Sequence, residues 1–235
     1  MEKPPKFLKV DKFLIDLSTK TGSNTILRIL LHDKNLSFGN DLQENTYWSY
    51  YKQNCINYSL KGLINIKFVR NPFIRAVSCY THYCHGSKNF DFSFINFLQN
   101  VKKLHEIHNN IIPKKKFFQN NLIVIKKLFP NIEQRSFEHL YLQKTDYEIN
   151  YDHIIKIENL KYEINKINLL YNVKFPANIK NLNIRPKNLE YIKKDYGNLP
   201  FREFYNKIPK DYNLFYNRES LKLVFQIYKK DIYMK

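Results

Sequence analysis

The segment KFLIDLSTKTGSNTILRILL, residues 12–31, reads as a strand, a turn and a helix in immediate succession. KFLIDL, residues 12–17, is a short apolar run of strand length. Ile26, Leu27, Leu30 and Leu31 then recur at helical spacing, and Ser23 stands where a helix N-cap is expected. Between them lie Lys20, Thr21 and Gly22. The whole chain of 235 residues holds only 5 glycines, so a glycine at this turn is not background. A helix start offers backbone N–H groups and the positive end of the helix dipole, and a small residue lets an anion come close to them. Lys20 adds a point charge, and Ser23, Asn24 and Thr25 add side-chain donors. The order of residues departs from the GxxxxGK[ST] loop of nucleotide triphosphatases, because the lysine precedes the glycine and the first glycine is missing. Taken alone, the turn fits an anion cradle or a plain strand–helix connection.

A second strand–turn–helix follows at INIKFVRNPFIRAVSCY, residues 64–80. INIKFV is the strand, Asn71 is a good N-cap, and Pro72 suits a first helical turn. In the helix, Phe73, Ala76, Val77, Tyr80 and Cys84 share one face, with Arg75, Ser78 and His82 on the opposite side. Arg70 ends the strand, where its guanidinium can bind a phosphate through two parallel hydrogen bonds or enter a structural ion pair. Ser78 can serve the same ligand or lie on a solvated face. YDHIIKIE, residues 151–158, reads as a third strand. Helices are expected over 91–108, 159–171, 187–195 and 217–230, a loop with short helices over 40–60, and a basic loop at Lys114, Lys115 and Lys116. Strands alternating with helices predict an α/β fold with a parallel sheet flanked by helices and a helix-rich C-terminal part. Ligands of such sheets bind beyond the carboxyl ends of the strands, the edge where both turns fall.

The two turns together resemble the donor site of sulfotransferases. KTGSNT, residues 20–25, is similar to their 5′-phosphosulfate loop. FVRNPFIRAVSCY, residues 68–80, is similar to their 3′-phosphate segment, with the order of arginine, proline, arginine and serine found in Golgi-type, family 2 carbohydrate sulfotransferases. FEHLYLQ (137–143), YDHIIKIENL (151–160) and LVFQIYKKDIY near the C-terminus resemble later family segments in the same order. The resemblance implies a P-loop-like fold, one sulfotransferase-like domain over residues 1–235, and 3′-phosphoadenosine 5′-phosphosulfate (PAPS) as donor. It implies that Lys20, Thr21, Gly22, Ser23, Asn24 and Thr25 hold the 5′-phosphosulfate and that Arg70 and Ser78 hold the 3′-phosphate. Arg185 and Lys187 fall in a part of the chain where the family places a loop over nucleotide or acceptor. Lys20 is expected to stabilise charge during transfer. For the base that takes the acceptor's proton, His139 and Glu138 are the leading candidates, ahead of His82 and His85. The expected acceptor is a hydroxyl on a glycan or glycoconjugate.

Charge and composition bound the alternatives. The net charge of +18, from 39 basic and 21 acidic residues, favours an anionic partner, although lysine is spread along the chain as AT-rich coding would spread it. A nucleic-acid partner is not expected, since no helix-turn-helix, zinc-finger or RNA-binding pattern is present. A small-molecule or nucleotide kinase is the other rival, weakened by the missing triphosphate loop. The three cysteines, Cys55, Cys79 and Cys84, have neither metal-ligand spacing nor a disulfide pattern, so no metal is expected. No run reaches the roughly 18 apolar residues of a membrane span, and the N-terminus lacks a signal-peptide pattern. A cytoplasmic protein is therefore expected. Animal carbohydrate sulfotransferases are anchored in the Golgi and often carry disulfides, so their absence here leaves a glycolipid or small metabolite as further acceptors.

Overall fold

The computed structural model describes residues 6–17, 22–32, 54–57, 62–107, 114–132, 140, 150–177, 195–209 and 211–232, with only the backbone described at 114–116 and 230. They fall into two compact units, Met1–Arg70 with Tyr147–Ile184, and Asn71–Asp146 with Arg185–Lys235.

The first unit is built on a five-stranded sheet. Its strands are β1 (Lys6–Val10), β2 (Phe13–Leu17), β3 (Cys55–Asn57), β4 (Ile64–Val69) and β5 (His153–Lys156), in the spatial order β3-β1-β2-β4-β5. β2 pairs in parallel with β4, and β4 with β5. β1 runs antiparallel to both β2 and β3. Asp11 turns the chain between β1 and β2 with φ 50°, a left-handed conformation that a short polar side chain tolerates.

Successive side chains of a strand point to opposite faces. On one face Phe13 and Ile15 of β2, Ile66 and Phe68 of β4 and Ile155 of β5 are buried. They form one cluster with Ile26, Leu27 and Leu30 of helix α1 (Ser23–Leu30) and with Ile164 and Ile167 of a later helix, Leu160–Tyr171. Each fully buried phenylalanine contributes about 1.5–3 kcal/mol of transfer free energy. The other face of the same strands carries Leu14, Asp16, Asn65 and Lys67, read from the pairing register.

The second unit is helical. Helix α2 (Pro72–Ser87) starts at Asn71, whose side chain accepts a hydrogen bond of 2.9 Å from the Phe73 amide, and Pro72 occupies the first turn. It ends at Lys88, in left-handed conformation at φ 53°. Helix α3 (Phe94–Ile107), the short helices α4 (Lys114–Asn120) and α5 (Leu122–Leu128), helix α7 (Arg218–Ile227) and the short α8 (Lys229–Ile232) follow, the first unit's Leu160–Tyr171 helix being α6 in chain order. The ring of Tyr80 on α2 sits among Phe94, Phe97, Phe201 and Phe215, with centroids 5.4–6.2 Å away. Its hydroxyl donates to the Phe92 carbonyl at 2.8 Å, so the one polar atom of this side chain is satisfied inside an aromatic core. Burial pushes its phenol far up from the usual tyrosine range. Tyr83 donates to the Pro130 carbonyl at 3.0 Å and is pushed up to about 12 by the same desolvation.

The sheet differs from the expected parallel one, because an antiparallel edge is added by β1 and β3. β3 is only 3 residues long and lies inside a stretch read as loop and short helices. So short a strand is set by pairing to β1 rather than by its own pattern. The third strand shrinks from 151–158 to His153–Lys156, because Ile157–Asn159 turn as a 3₁₀ helix. Lys114, Lys115 and Lys116 belong to the first turn of α4 rather than to a loop. The single helix expected at 217–230 breaks at Tyr228 into α7 and α8. Arg75 is buried, not on a polar face, because α2 is packed by α3, by α7 and by the turn at Tyr212–Phe215. Its guanidinium carbon lies 5.8 Å from the centre of the buried Tyr228 ring. The helix expected at 187–195 falls almost wholly outside the described residues.

Helix α7 opens with a reciprocal cap. Asn217 Oδ1 accepts from the amides of Glu219 and Ser220, both at 3.0 Å, and Ser220 Oγ accepts from the Asn217 amide at 2.8 Å. Asn217→Ala should therefore lower unfolding free energy by about 1 kcal/mol, read as a lower urea midpoint at unchanged slope. The cysteines are all unpaired with each other. Cys79 and Cys84 are buried, and desolvation raises the Cys84 thiol well above its ordinary range. In native protein a thiol reagent should modify Cys55 first and reach Cys79 and Cys84 only on unfolding; their rapid native labelling would contradict this packing.

Candidate functional site

The site is built where strands leave the sheet. β2 and β4 are hydrogen-bonded neighbours running the same way, with Asp16 opposite Lys67 and Leu17 opposite Phe68. The chain after β2 and the chain after β4 therefore emerge at one edge. The first reaches Gly22 and α1, and the second reaches Arg70, one residue past Val69. The exit of β5, the turn Ile157–Asn159, lies at this edge too, and its Ile157 Cδ1 is the nearest atom, at 3.4 Å, to where a Cβ on Gly22 would stand.

Gly22, not Ser23, is the N-cap of α1. Its backbone is left-handed, at φ 76° and ψ 29°, and its carbonyl accepts from the Ile26 amide at 3.1 Å. Ser23, Asn24 and Thr25 are thus the first three helical residues, whose amides have no acceptor within the helix. Ser23 is buried, and Asn24 and Thr25 are half-buried. The first turn of α1 contains no acidic residue. A left-handed glycine, a run of helix-start amides and an arginine on the neighbouring strand exit form a set of donors suited to an anion.

Among the expected donor-binding residues, the structure brings Gly22, Ser23, Asn24, Thr25 and Arg70 to this one edge. Arg70 is half-buried. Ser78 lies about two turns into α2, in the second unit, and is half-buried. Lys20, Thr21, Glu138, His139, Arg185 and Lys187 lie outside the described residues. Of the other histidines, His85 is exposed with its ring edge-on to Phe201 at 4.9 Å, His82 is half-buried, and His32 sits at the far end of α1 from Gly22.

Beneath the edge lies a polar group that the sequence reading passed over. Lys67 Nζ is 3.3 Å from Asp16 Oδ2, with side-chain exposures of 2% and 12%. Tyr151 donates its hydroxyl to the same Asp16 Oδ2 at 2.5 Å, and the lysine nitrogen stands 5.1 Å from the centre of the Tyr151 ring. A signal for it was present. FLIDL and INIKFV each carry one charge, of opposite sign, inside a largely apolar strand, and an unpaired charge does not stay buried.

A sequence model of the Sulfotransferase family matches residues 9–234, nearly the entire chain and both units. The protein belongs to the sulfotransferase family and is a sulfotransferase, an enzyme that transfers a sulfuryl group. Neither the curated proteins nor the solved structures yield a match. Among the described residues no helix is long and apolar enough to cross a membrane.

Gly22 holds a backbone conformation that costs an alanine roughly 1–2 kcal/mol, while the space around it would admit a methyl group. Gly22→Ala should thus destabilise the protein by about that amount, with Gly22→Asn milder because asparagine tolerates the left-handed region. Thermal melts of the two variants test this order; equal melting would mean that the turn relaxes to another conformation.

Proposed function

We propose that the sulfuryl donor is PAPS and that the acceptor is a hydroxyl on a carbohydrate. The observation that carries the donor reading is the pairing of the left-handed Gly22 helix start with Arg70 on adjacent parallel strand exits. That donor set fits a phosphorylated nucleotide with two separate anionic ends. Gly22, Ser23, Asn24 and Thr25, with Lys20 and Thr21 just before them, would hold the phosphosulfate end. Arg70 would take the 3′-phosphate, together with Ser78. Arg185 and Lys187 would close over nucleotide or acceptor.

When bound, PAPS supplies the sulfuryl group, and its phosphate is the leaving group. The chain's part is positional and electrostatic. Helix-start amides and the Lys20 ammonium would stabilise the negative charge that develops on the donor's oxygens. In comparable oxyanion sites one such donor contributes about 2.7–4 kcal/mol to the barrier. The acceptor hydroxyl must give up its proton as it attacks. His139, with Glu138 beside it, is the proposed base, and an imidazole titrating near neutrality suits that task. The carbohydrate acceptor rests on the arginine–proline–arginine–serine order of residues 70–78. The P-loop-like character of the fold is part of the same proposal, supported by the parallel β2–β4–β5 core and its strand-exit turns.

Adenosine 3′,5′-bisphosphate should stabilise the protein against heat. At 100 times its Kd the gain is about 2.7 kcal/mol, or roughly 5–10 °C for a chain of this size. ATP should give far less, Arg70→Ala should remove the response, and EDTA should leave sulfuryl transfer unchanged. An equal response to ATP would overturn the PAPS reading of the donor site, and loss of activity with EDTA would show that transfer requires a metal ion.

A further inference from the structure

We propose that Asp16, Lys67 and Tyr151 form a buried register clamp that positions the Gly22 turn and Arg70 relative to each other. The proposal rests on the donor-site reading above and adds three positioning residues to it. Asp16 and Lys67 lie inside β2 and β4, and Tyr151 stands before β5, so they act through the backbone that carries the donor-binding groups.

The argument begins with what fixes the offset of two parallel strands. The apolar faces of β2 and β4 forbid a slip by one residue, since that turns Phe13, Ile15, Ile66 and Phe68 away from the core they share with α1. A slip by two residues keeps every apolar side chain on its own face, so hydrophobic patterning does not oppose it in the same way. Such a slip moves one strand exit past the other by about 6.6 Å. Groups that must meet an anion at hydrogen-bond distance would then be separated.

The clamp opposes that slip. In the observed register Asp16 and Lys67 are direct partners. A two-residue shift would set Asp16 opposite Val69 or Asn65, and Lys67 opposite Leu14 or Ser18, leaving both charges buried and mismatched. Tyr151 strengthens the constraint because its chain position is just before β5, the partner of β4 on the other side. Its hydroxyl binds Asp16 and its ring lies against the Lys67 ammonium, so one side chain spans from the β5 approach across β4 to β2. A buried ion pair contributes little net stability against a well-packed apolar replacement, but it discriminates strongly between alternative pairings. That separates its two effects experimentally.

The test compares wild type with the double variant Asp16→Asn/Lys67→Met, which removes both charges together, and with Tyr151→Phe, which removes only the hydroxyl. Three quantities are read for each: the melting temperature, the Kd for adenosine 3′,5′-bisphosphate by calorimetry, and hydrogen exchange of amides in residues 13–17 and 64–69. The expected result is a double variant that melts close to wild type yet binds the bisphosphate at least about tenfold more weakly, as misplaced groups do. Equal affinity in a folded double variant overturns the clamp. If the double variant does not fold, Tyr151→Phe decides: weaker binding at an unchanged melting temperature supports the clamp, and unchanged affinity overturns it. Should wild type itself not bind the bisphosphate, the donor reading falls. Hydrogen exchange then decides the clamp separately, with faster exchange in the double variant, or in Tyr151→Phe if the double variant does not fold, sustaining it and unchanged exchange overturning it.

Discussion

Hydrogen bonding between Phe13–Leu17 and Ile64–Val69 as parallel neighbours sets the geometry on which the candidate site depends. Parallel neighbours deliver their chain exits to the same edge, whereas antiparallel ones send them to opposite edges. Because β2 and β4 are parallel, a glycine turn and an arginine some 50 residues apart in the chain, Gly22 and Arg70, share an edge. The antiparallel strand β1 extends the sheet on the side away from β5, and β3 beyond it runs in the direction of β2, so that its end at Asn57 falls at the same edge. Their presence is compatible with the site because they add to β2's other flank and leave the parallel core intact.

The two units solve the problem of buried polarity in different ways. In the first, opposite charges on adjacent strands neutralise each other, and a tyrosine hydroxyl donates to the same carboxylate oxygen. In the second, three phenols of the aromatic core end on main-chain carbonyls, Tyr80 at Phe92, Tyr83 at Pro130 and Tyr216 at Phe73. Leaving such a hydroxyl unsatisfied costs about 1–3 kcal/mol, so each bond selects one arrangement of the surrounding rings. The ionic arrangement serves strand register, and the phenolic one serves helix packing around α2.

Sulfuryl transfer asks little covalent chemistry of a protein. It requires donors fixed in advance around anionic oxygens and a base for the incoming hydroxyl. A sheet edge satisfies the first requirement well, because its turns are held by paired strands rather than by loops alone. Gly22 makes the turn possible: lacking a Cβ, it takes the left-handed conformation at little cost, and α1 begins at the next residue. This is consistent with membership of the sulfotransferase family over residues 9–234 and with a site whose parts come from separate strand exits.

Much of this was legible in the amino-acid sequence. The apolar run before Lys20, the helical spacing from Ile26 and the Arg70–Asn71–Pro72 boundary each follow from local chemistry; β2 and β4 lie within a residue of their expected bounds, and α1 and α2 begin within a residue of their expected starts. Such elements carry their own signal: strand-length apolar runs, a helical apolar stripe, a cap and a proline. The sequence also placed Gly22 and Arg70 at the turns that follow two strands. It did not reveal β3, whose three residues are ordered by β1, nor the burial of Arg75, which an isolated helix would present to water. Nor did it join Asp16, Lys67 and Tyr151, because a charge in an apolar strand has no meaning until its partner strand and register are known. What the sequence determined by itself was the identity and order of the strand–turn–helix segments, since these depend on neighbours within a few residues. Only tertiary structure decided which strands lie side by side, in which direction and at which offset, because those choices are made by contacts between residues far apart in the chain.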